Sequence, residues 1–286
     1  LAKRREVLHE EFHFAGGDGL GLYGQGWMPG PAQHRSPAVL VWVPGFIEHS
    51  GRYAATAEAL VERGYAVYAM DLRGHGRSGG PRCFVDRFER YLDDLDAWIE
   101  TVRRREPAGP RFLVGHSMGG LIVALWSITR RPPLGGLVMS ASTVRLSAGL
   151  FPVLRRLAGP VGRWLPWLRV ARLGLGSMSR DAAVVAAYRA DPLVFHGRFP
   201  TRSGTELLRA IRWLDHSADA VLPPLLLLHG TADRLCDPEG SREFYRRAGS
   251  PDKTLRLYDG LFHDLFHEPE HPQIIADLAG WLDARR

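Results

Sequence analysis

Two stretches of this sequence carry residues whose types and spacing could do chemistry. Near the C-terminal end, LFHDLFHEPEH (261–271) sets His263, His267 and His271 four residues apart, with Asp264 directly after the first. That is one carboxylate away from H-E-x-x-H, in which a helix turns two histidines toward a zinc ion and a glutamate acts as general base. In the middle, FLVGHSMGGLIVALW (112–126) is an apolar run, then a G-x-S-x-G turn with a second glycine, then an apolar stretch at helical spacing. A serine on a tight strand-to-helix turn needs small neighbours because the backbones approach closely, and Gly115, Gly119 and Gly120 meet that demand. The helix that follows presents free amides and a positive dipole end to a reacting oxygen. A Gly-Ser-Gly turn can simply end a strand; the strand before it and the helix after it make Ser117 the candidate nucleophile.

A serine hydroxyl needs a base within hydrogen-bond reach, and the base needs a carboxylate to hold its tautomer. With the serine on such an elbow the chain order is serine, acid, histidine, so the partners lie downstream. Asp233 follows the apolar run PLLLLHG by three residues, and Asp237 stands four residues further on as its rival. Asp233 is favoured because it is nearer the strand end, where such sites are built. For the histidines, a zinc pair requires a helix with both rings on one face, a third ligand and a glutamate. Here Gly260 and Pro269 leave barely two turns, and Asp264 stands where the glutamate belongs. His263 lies just after the run TLRLYDG, where a triad base is expected; His267 and His271 are left with supporting or surface roles. The oxyanion of an acyl-transfer intermediate needs two backbone N–H donors. One is expected from Met118, directly after the nucleophile, and the other from Phe46 in the loop VPGFIEHSGRY (43–53), whose Pro44-Gly45 would look the same in an ordinary turn.

The elements that must position these residues are readable in outline. Strands are expected at 6–14, 20–28, 38–43, 65–70, 111–114, 136–140, 224–229 and 254–258. The first two are separated by AGGDG, a hairpin signal that makes them antiparallel. The later ones are bounded by Gly and Pro and are apolar on both faces, as buried parallel strands are. Helices fit between them at 53–63, ending before Gly64, at 88–105 and at 273–282. Together these give an α/β chain with a mostly parallel eight-stranded sheet flanked by helices. From about 143 to 217 the alternation stops. No clear strand is visible there, Pro152, Pro160 and Pro166 interrupt it, and a good helix runs from 204 to 214. The reading is a helical cap (143–217) inserted after strand six into a core made of 1–142 and 218–286.

Composition bounds the rest. A chain of 286 residues with 45% hydrophobic content can bury a substantial single core. Cys83 and Cys236 are too few for a disulfide framework and belong to no C-x-x-C motif. A reducing, cytoplasmic setting is expected; LAKRREVLHE lacks the apolar centre of a signal peptide, and no run approaches the length of a membrane span. The formal charge of +6 is almost all arginine, since Lys3 and Lys253 are the only lysines, and without nucleic-acid motifs it does not imply a nucleic-acid partner. Between Thr143 and Arg180 seven arginines alternate with Leu150, Phe151, Leu154, Leu157, Trp164, Leu165, Trp167 and Leu168, and there is no Asp or Glu. That mixture suits an amphiphilic substrate or peripheral contact with a membrane or lipid aggregate.

Six blocks in order resemble the monoacylglycerol lipase and lysophospholipase branch of the serine α/β-hydrolases. GFIEHSGRY resembles that branch's H-G-x-x-E-H-S-x-R-Y loop, DLRGHGRSGG (71–80) its D-x-R-G-H-G-x-S block and GHSMGG its elbow. DPLVFHGRFPTR (191–202), HGTADRLCDPEGSREFY (229–245) and HDLFHE (263–268) resemble its later blocks. The resemblance implies the α/β-hydrolase fold, a triad of Ser117, Asp233 and His263, oxyanion donors at Phe46 and Met118, a loop-shaping role for Asp71 and Arg73, and no metal or cofactor. It departs at Pro44, where the branch usually has histidine; proline stiffens the loop but removes only its own N–H, so the Phe46 amide stays available. The expected activity is hydrolysis of lipid-like monoesters, monoacylglycerol first and lysophospholipid second, with the inserted tryptophans and leucines lining an acyl tunnel or packing the cap onto the core. The rivals are a short-chain esterase or thioesterase, and a non-catalytic binding protein of the same fold.

Overall fold

The structure, a computed structural model, describes residues 6–30, 38–106, 108, 111–148, 162 and 164–286. In chain order the elements are β1 (Val7–Ala15), β2 (Gly21–Pro29), β3 (Ala38–Val43), α1 (Ala54–Glu62), β4 (Tyr65–Met70), α2 (Glu89–Arg105), β5 (Arg111–His116), α3 (Met118–Arg130) and β6 (Gly136–Ser140). Then follow β7 (Arg169–Ala171), α4 (Ala182–Ala190), β8 (Phe199–Pro200), α5 (Thr201–His216), β9 (Leu225–Gly230), α6 (Pro238–Arg247), β10 (Lys253–Tyr258) and α7 (His271–Asp283). Eight strands form one sheet in the order β1-β2-β4-β3-β5-β6-β9-β10. β1 and β2 are an antiparallel hairpin whose turn uses Gly19 at φ +82°, a conformation that favours glycine. β2 also runs antiparallel to β4, and every later pairing is parallel. This is the α/β-hydrolase fold that the sequence leads one to expect.

The strands alternate between two cores because successive side chains point to opposite faces of the sheet. Along β3, Val39, Val41 and Val43 join one cluster with Leu92, Leu95 and Trp98 of α2 and nearly the whole of α3. Leu40 and Trp42 join the other with Leu60 of α1 and Ile274, Leu278 and Leu282 of α7. All but two residues of α3 are buried, so the helix sits at the centre and fixes whatever its N-terminus carries.

The described part of segment 143–217 differs from the expectation in its strands and in its helices. It contains two short strands, β7 and β8, which pair antiparallel with an irregularity between Arg169 and Ala171. Pairs this short leave no alternating pattern long enough to read, which is why the segment looks strandless in sequence. Its helix is longer than expected, Thr201–His216, and a second helix, α4, begins at Asp181, whose side chain accepts a hydrogen bond from the Ala183 amide. Leu150, Phe151, Leu154, Leu157 and Arg155, Arg156 and Arg163 lie outside the described residues. Among the described residues no helix is long and apolar enough to cross a membrane.

Candidate active site

β5 ends at His116 and α3 starts at Met118, so Ser117 alone makes the turn, with φ 52° and ψ −118°. A non-glycine residue at positive φ is strained, and the surroundings enforce it here. A Cβ at Gly115 would lie 2.4 Å from the Gly119 carbonyl oxygen, and one at Gly119 would lie 2.0 Å from that of Val43. The glycines of the motif are therefore spaces that the backbone itself fills.

The loops after β9 and β10 bring the other two groups to this point. A Cβ at Gly230 would meet the Leu261 carbonyl oxygen at 2.3 Å, and without one the Ala232 amide donates to Leu261 across the gap. His263 then places Nε2 2.9 Å from Ser117 Oγ and Nδ1 2.7 Å from Asp233 Oδ2. A carboxylate only accepts, so Nδ1 carries the proton to Asp233 and Nε2 is free to accept from the serine hydroxyl. Asp233 is buried and fully engaged. Its Oδ1 accepts from the Leu235 and Cys236 amides at 2.8 and 3.1 Å, and its Oδ2 also accepts from His229 Nε2 at 3.0 Å. Burial opposes its ionisation, but the facing charge of His263 and hydrogen bonds from His229 and His263 hold its pKa well below the usual carboxylate range. Burial disfavours the His263 imidazolium too, yet the Asp233 charge and hydrogen bond prevail and raise the His263 pKa above its ordinary value.

Of the two aspartates, Asp233 is the one brought to the histidine. Asp237 caps α6, accepting from the Glu239 amide, and pairs with Arg145. His229 was not singled out by the sequence reading, and it anchors Asp233 from behind while its Nδ1 meets Ser241 Oγ at 2.7 Å. Its only sequence signal is a polar residue in the apolar strand LLLLHG. Thr143 was also missed: its Oγ1 lies 3.3 Å from Ser117 Oγ and 3.5 Å from Cys236 Sγ.

The three evenly spaced histidines do not converge. His267 sits between Asp264 and the Arg52 carbonyl at 2.8 Å each, and His271 Nδ1 faces the Glu268 carbonyl. Only a single turn of 3-10 helix, Leu265–His267, lies between His263 and α7. Among the described residues, Asp233, Cys236 and His263 do bring potential metal-ligand atoms within 4.8 Å of one another. That set suits a cation poorly. Both His263 nitrogens and both Asp233 oxygens are already bonded, and burial raises the Cys236 pKa, keeping its thiol protonated.

The loop after β3 faces Ser117. Glu48, buried, accepts from the Gly45 amide and from the Tyr53 hydroxyl, and Asp71 accepts from the Ser50 amide at 2.7 Å and the Arg77 amide at 2.8 Å. Arg73 forks onto Asp94 and also reaches Asp18. Among the described residues neither the Phe46 nor the Met118 amide finds an acceptor within the chain. Both residues line a pocket with about 900 Å³ of empty space, its open mouth included, with Ser117 and His263 in its wall. Val85, Phe88, Phe199, Leu173, Leu207 and Leu208 make much of the remaining lining apolar. Leu173, Leu207 and Leu208 of segment 143–217 line the pocket, but its tryptophans do not. Trp164 and Trp167 are 78% and 57% exposed, Trp167 stacking on Phe84, and Trp213 packs against the core. Large rings meet solvent where no neighbouring layer covers them.

A strained serine at a strand-to-helix turn, bonded to a histidine that is bonded to a buried aspartate, on this sheet, defines a serine hydrolase of the α/β type. Residues 34–270 match the family described as serine aminopeptidase, S33. The chain is 36% identical to monoacylglycerol lipase of Mycolicibacterium smegmatis over 95% of this chain and 96% of that one. It is 33% identical to human monoglyceride lipase over 96% and 90% of the two chains. The crystal structure of Paleococcus ferrophilus monoacylglycerol lipase superposes with a TM-score of 0.79 at 29% identity, covering 98% of this chain and all of that one. The chain belongs to this S33 family of α/β-hydrolases, in its monoacylglycerol lipase branch, and is a serine ester hydrolase.

Proposed function

We propose that the protein hydrolyses lipid-like monoesters, monoacylglycerol foremost, through an acyl-enzyme on Ser117. The observation that carries this reading is the hydrogen-bonded chain Ser117–His263–Asp233, with Ser117 and His263 in the wall of a largely apolar pocket. As Ser117 Oγ bonds to the ester carbonyl carbon, its proton passes to His263 Nε2, and the carbonyl oxygen gains the negative charge. The Phe46 and Met118 amides stabilise that oxyanion, and Asp233 stabilises the imidazolium without taking its proton. The C–O bond to the alcohol then breaks, and His263 returns the proton to the departing alkoxide. Water, deprotonated by His263, attacks the acyl-enzyme, and the fatty acid leaves as Ser117 Oγ regains the proton.

Segment 143–217 serves, on this reading, as a cap over a core of 1–142 and 218–286, with Leu173, Leu207 and Leu208 holding the acyl chain. Trp164, Leu165, Trp167 and Leu168, all exposed and next to Arg169 and Arg172, give the cap a face suited to an anionic lipid surface.

Two measurements test the reading. A fluorophosphonate probe should label the wild type and not Ser117→Ala; an unlabelled, folded wild type overturns the mechanism. Each acyl methylene buried is worth about 0.8 kcal/mol, so kcat/KM should climb by up to about fourfold per added carbon until the pocket is full. Monoacylglycerols and lysophospholipids of equal acyl length then separate the head groups, and an optimum at the shortest p-nitrophenyl ester would identify a short-chain esterase instead.

A further inference from the structure

Ile47, directly after Phe46, has φ +69°. For a β-branched side chain the left-handed region is strongly disfavoured, so the residue stays there only if its neighbours hold it. The loop's own core side supplies part of the hold, through Glu48 on the Gly45 amide and Asp71 on the Ser50 amide. The rest comes from the inserted segment. The Phe195 amide donates to the Ile47 carbonyl at 2.9 Å. Asp191 Oδ2 meets His49 Nε2 at 2.8 Å, while its Oδ1 accepts from the Leu193 amide and so fixes the turn that presents Phe195. The Ile47 side chain is itself buried in a cluster with Met178, Tyr188, Val194 and Phe199 of the same segment, together with Cys83 and Leu235 from outside it.

We propose that docking of the turn Asp191–Phe195 onto the loop after β3 holds Ile47 in its left-handed conformation and thereby aims the Phe46 amide, with Asp191 as a positioning residue for the reaction. The inference rests on the reading of Phe46 as an oxyanion donor. With the turn docked, the carbonyl of Ile47 is bonded and its side chain is out of water. With the turn lifted, the carbonyl bond and part of the side chain's cover are lost while the backbone strain remains, so the loop relaxes and the amide turns away. The loop thus has two arrangements whose balance the cap sets, and catalytic competence becomes a consequence of cap position. The block DPLVFHGRFPTR, which the chemistry at Ser117 leaves without a role, finds one in this contact.

Turnover of a soluble short ester, p-nitrophenyl butyrate, tests this in the full chain. Asp191→Ala should lower kcat about tenfold with KM within about twofold, the signature of an interaction used in the transition state. Asp191→Asn, which keeps an acceptor for His49, should recover most of that loss. Glycine adopts positive φ without strain, so in an Ile47→Gly background Asp191→Ala should cost less than about twofold. His49→Ala breaks the same bond from the other side and should show the same loss and the same suppression. An Asp191→Ala penalty of equal size in both backgrounds, or one confined to KM, overturns the inference. Ser117→Ala separates the two levels of argument. If it keeps full turnover, the underlying reading fails; if it abolishes turnover while Asp191→Ala leaves kcat unchanged, only the positioning role fails.

Discussion

At Asp233 four hydrogen bonds meet on one carboxylate, two from backbone amides and two from histidines. The pH dependence follows from that arrangement. In its proposed role as base His263 must be neutral, and the Asp233 charge raises its pKa, so kcat/KM should rise with pH through a midpoint above about 6.5. Asp233→Asn removes the charge that holds the proton on His263. The midpoint should move down, and kcat should fall by about 10³–10⁴-fold. A pH–rate profile of both proteins reads this, and an unmoved midpoint would show that another group sets the His263 pKa. The histidine spacing that opens the chemistry of the sequence is the instructive case at this scale. His267 was legible only as a residue with no catalytic task, whereas the structure holds it between Asp264 and the Arg52 carbonyl, where it ties the loop carrying His263 to the loop before α1.

Among the elements, the β5–α3 turn was legible because its demands are local. Each glycine answers a close approach, but the approaches differ in what stands opposite. A Cβ at Gly119 meets the Val43 backbone oxygen at 2.0 Å, whereas one at Gly120 meets the Ser142 hydroxyl at 1.9 Å, which can rotate away, and the Ser142 Cβ at 2.8 Å, which needs a small shift. Gly119→Ala should therefore cost about 3 kcal/mol or prevent folding, and Gly120→Ala about 1 kcal/mol. Urea unfolding of the two variants measures the difference, and equal costs would mean that the strand carbonyl yields as easily as a hydroxyl. The ribbon of β7 and β8 was not legible, because two paired residues on one side and three on the other carry no periodicity. Its partners are set by where the inserted segment lies, and the letters of either strand do not name them.

For the whole molecule, segment 143–217 carries two apolar surfaces, one on α5 that turns leucines to the pocket and one at 164–168 that turns large side chains to solvent. Leu207 and Leu208 face the pocket, while Trp164, Leu165, Trp167 and Leu168 face solvent. If the proposed lipid-facing role of that exposed face holds, Trp164→Ser with Leu165→Ser should reduce sedimentation with phosphatidylglycerol vesicles about tenfold. Turnover of p-nitrophenyl butyrate should stay within about twofold. Undiminished vesicle binding would assign that face to another contact.

The sequence by itself determined the fold class, the serine elbow and the order of its partners, because apolar periodicity, glycine punctuation and a strand-to-helix turn are properties of neighbouring residues. Pro44, in the loop after β3, removes no amide but its own. The tertiary structure alone decided which of two aspartates four residues apart faces His263, that His229 stands behind it, and that Asp191 and Phe195 close on Ile47. Ser117 and His263 are 146 positions apart, and His49 and Asp191 are 142. Contacts across such separations exist only because the sheet sets β3, β5, β6, β9 and β10 side by side and brings the chain that follows them to one edge, an arrangement no short stretch of the chain contains.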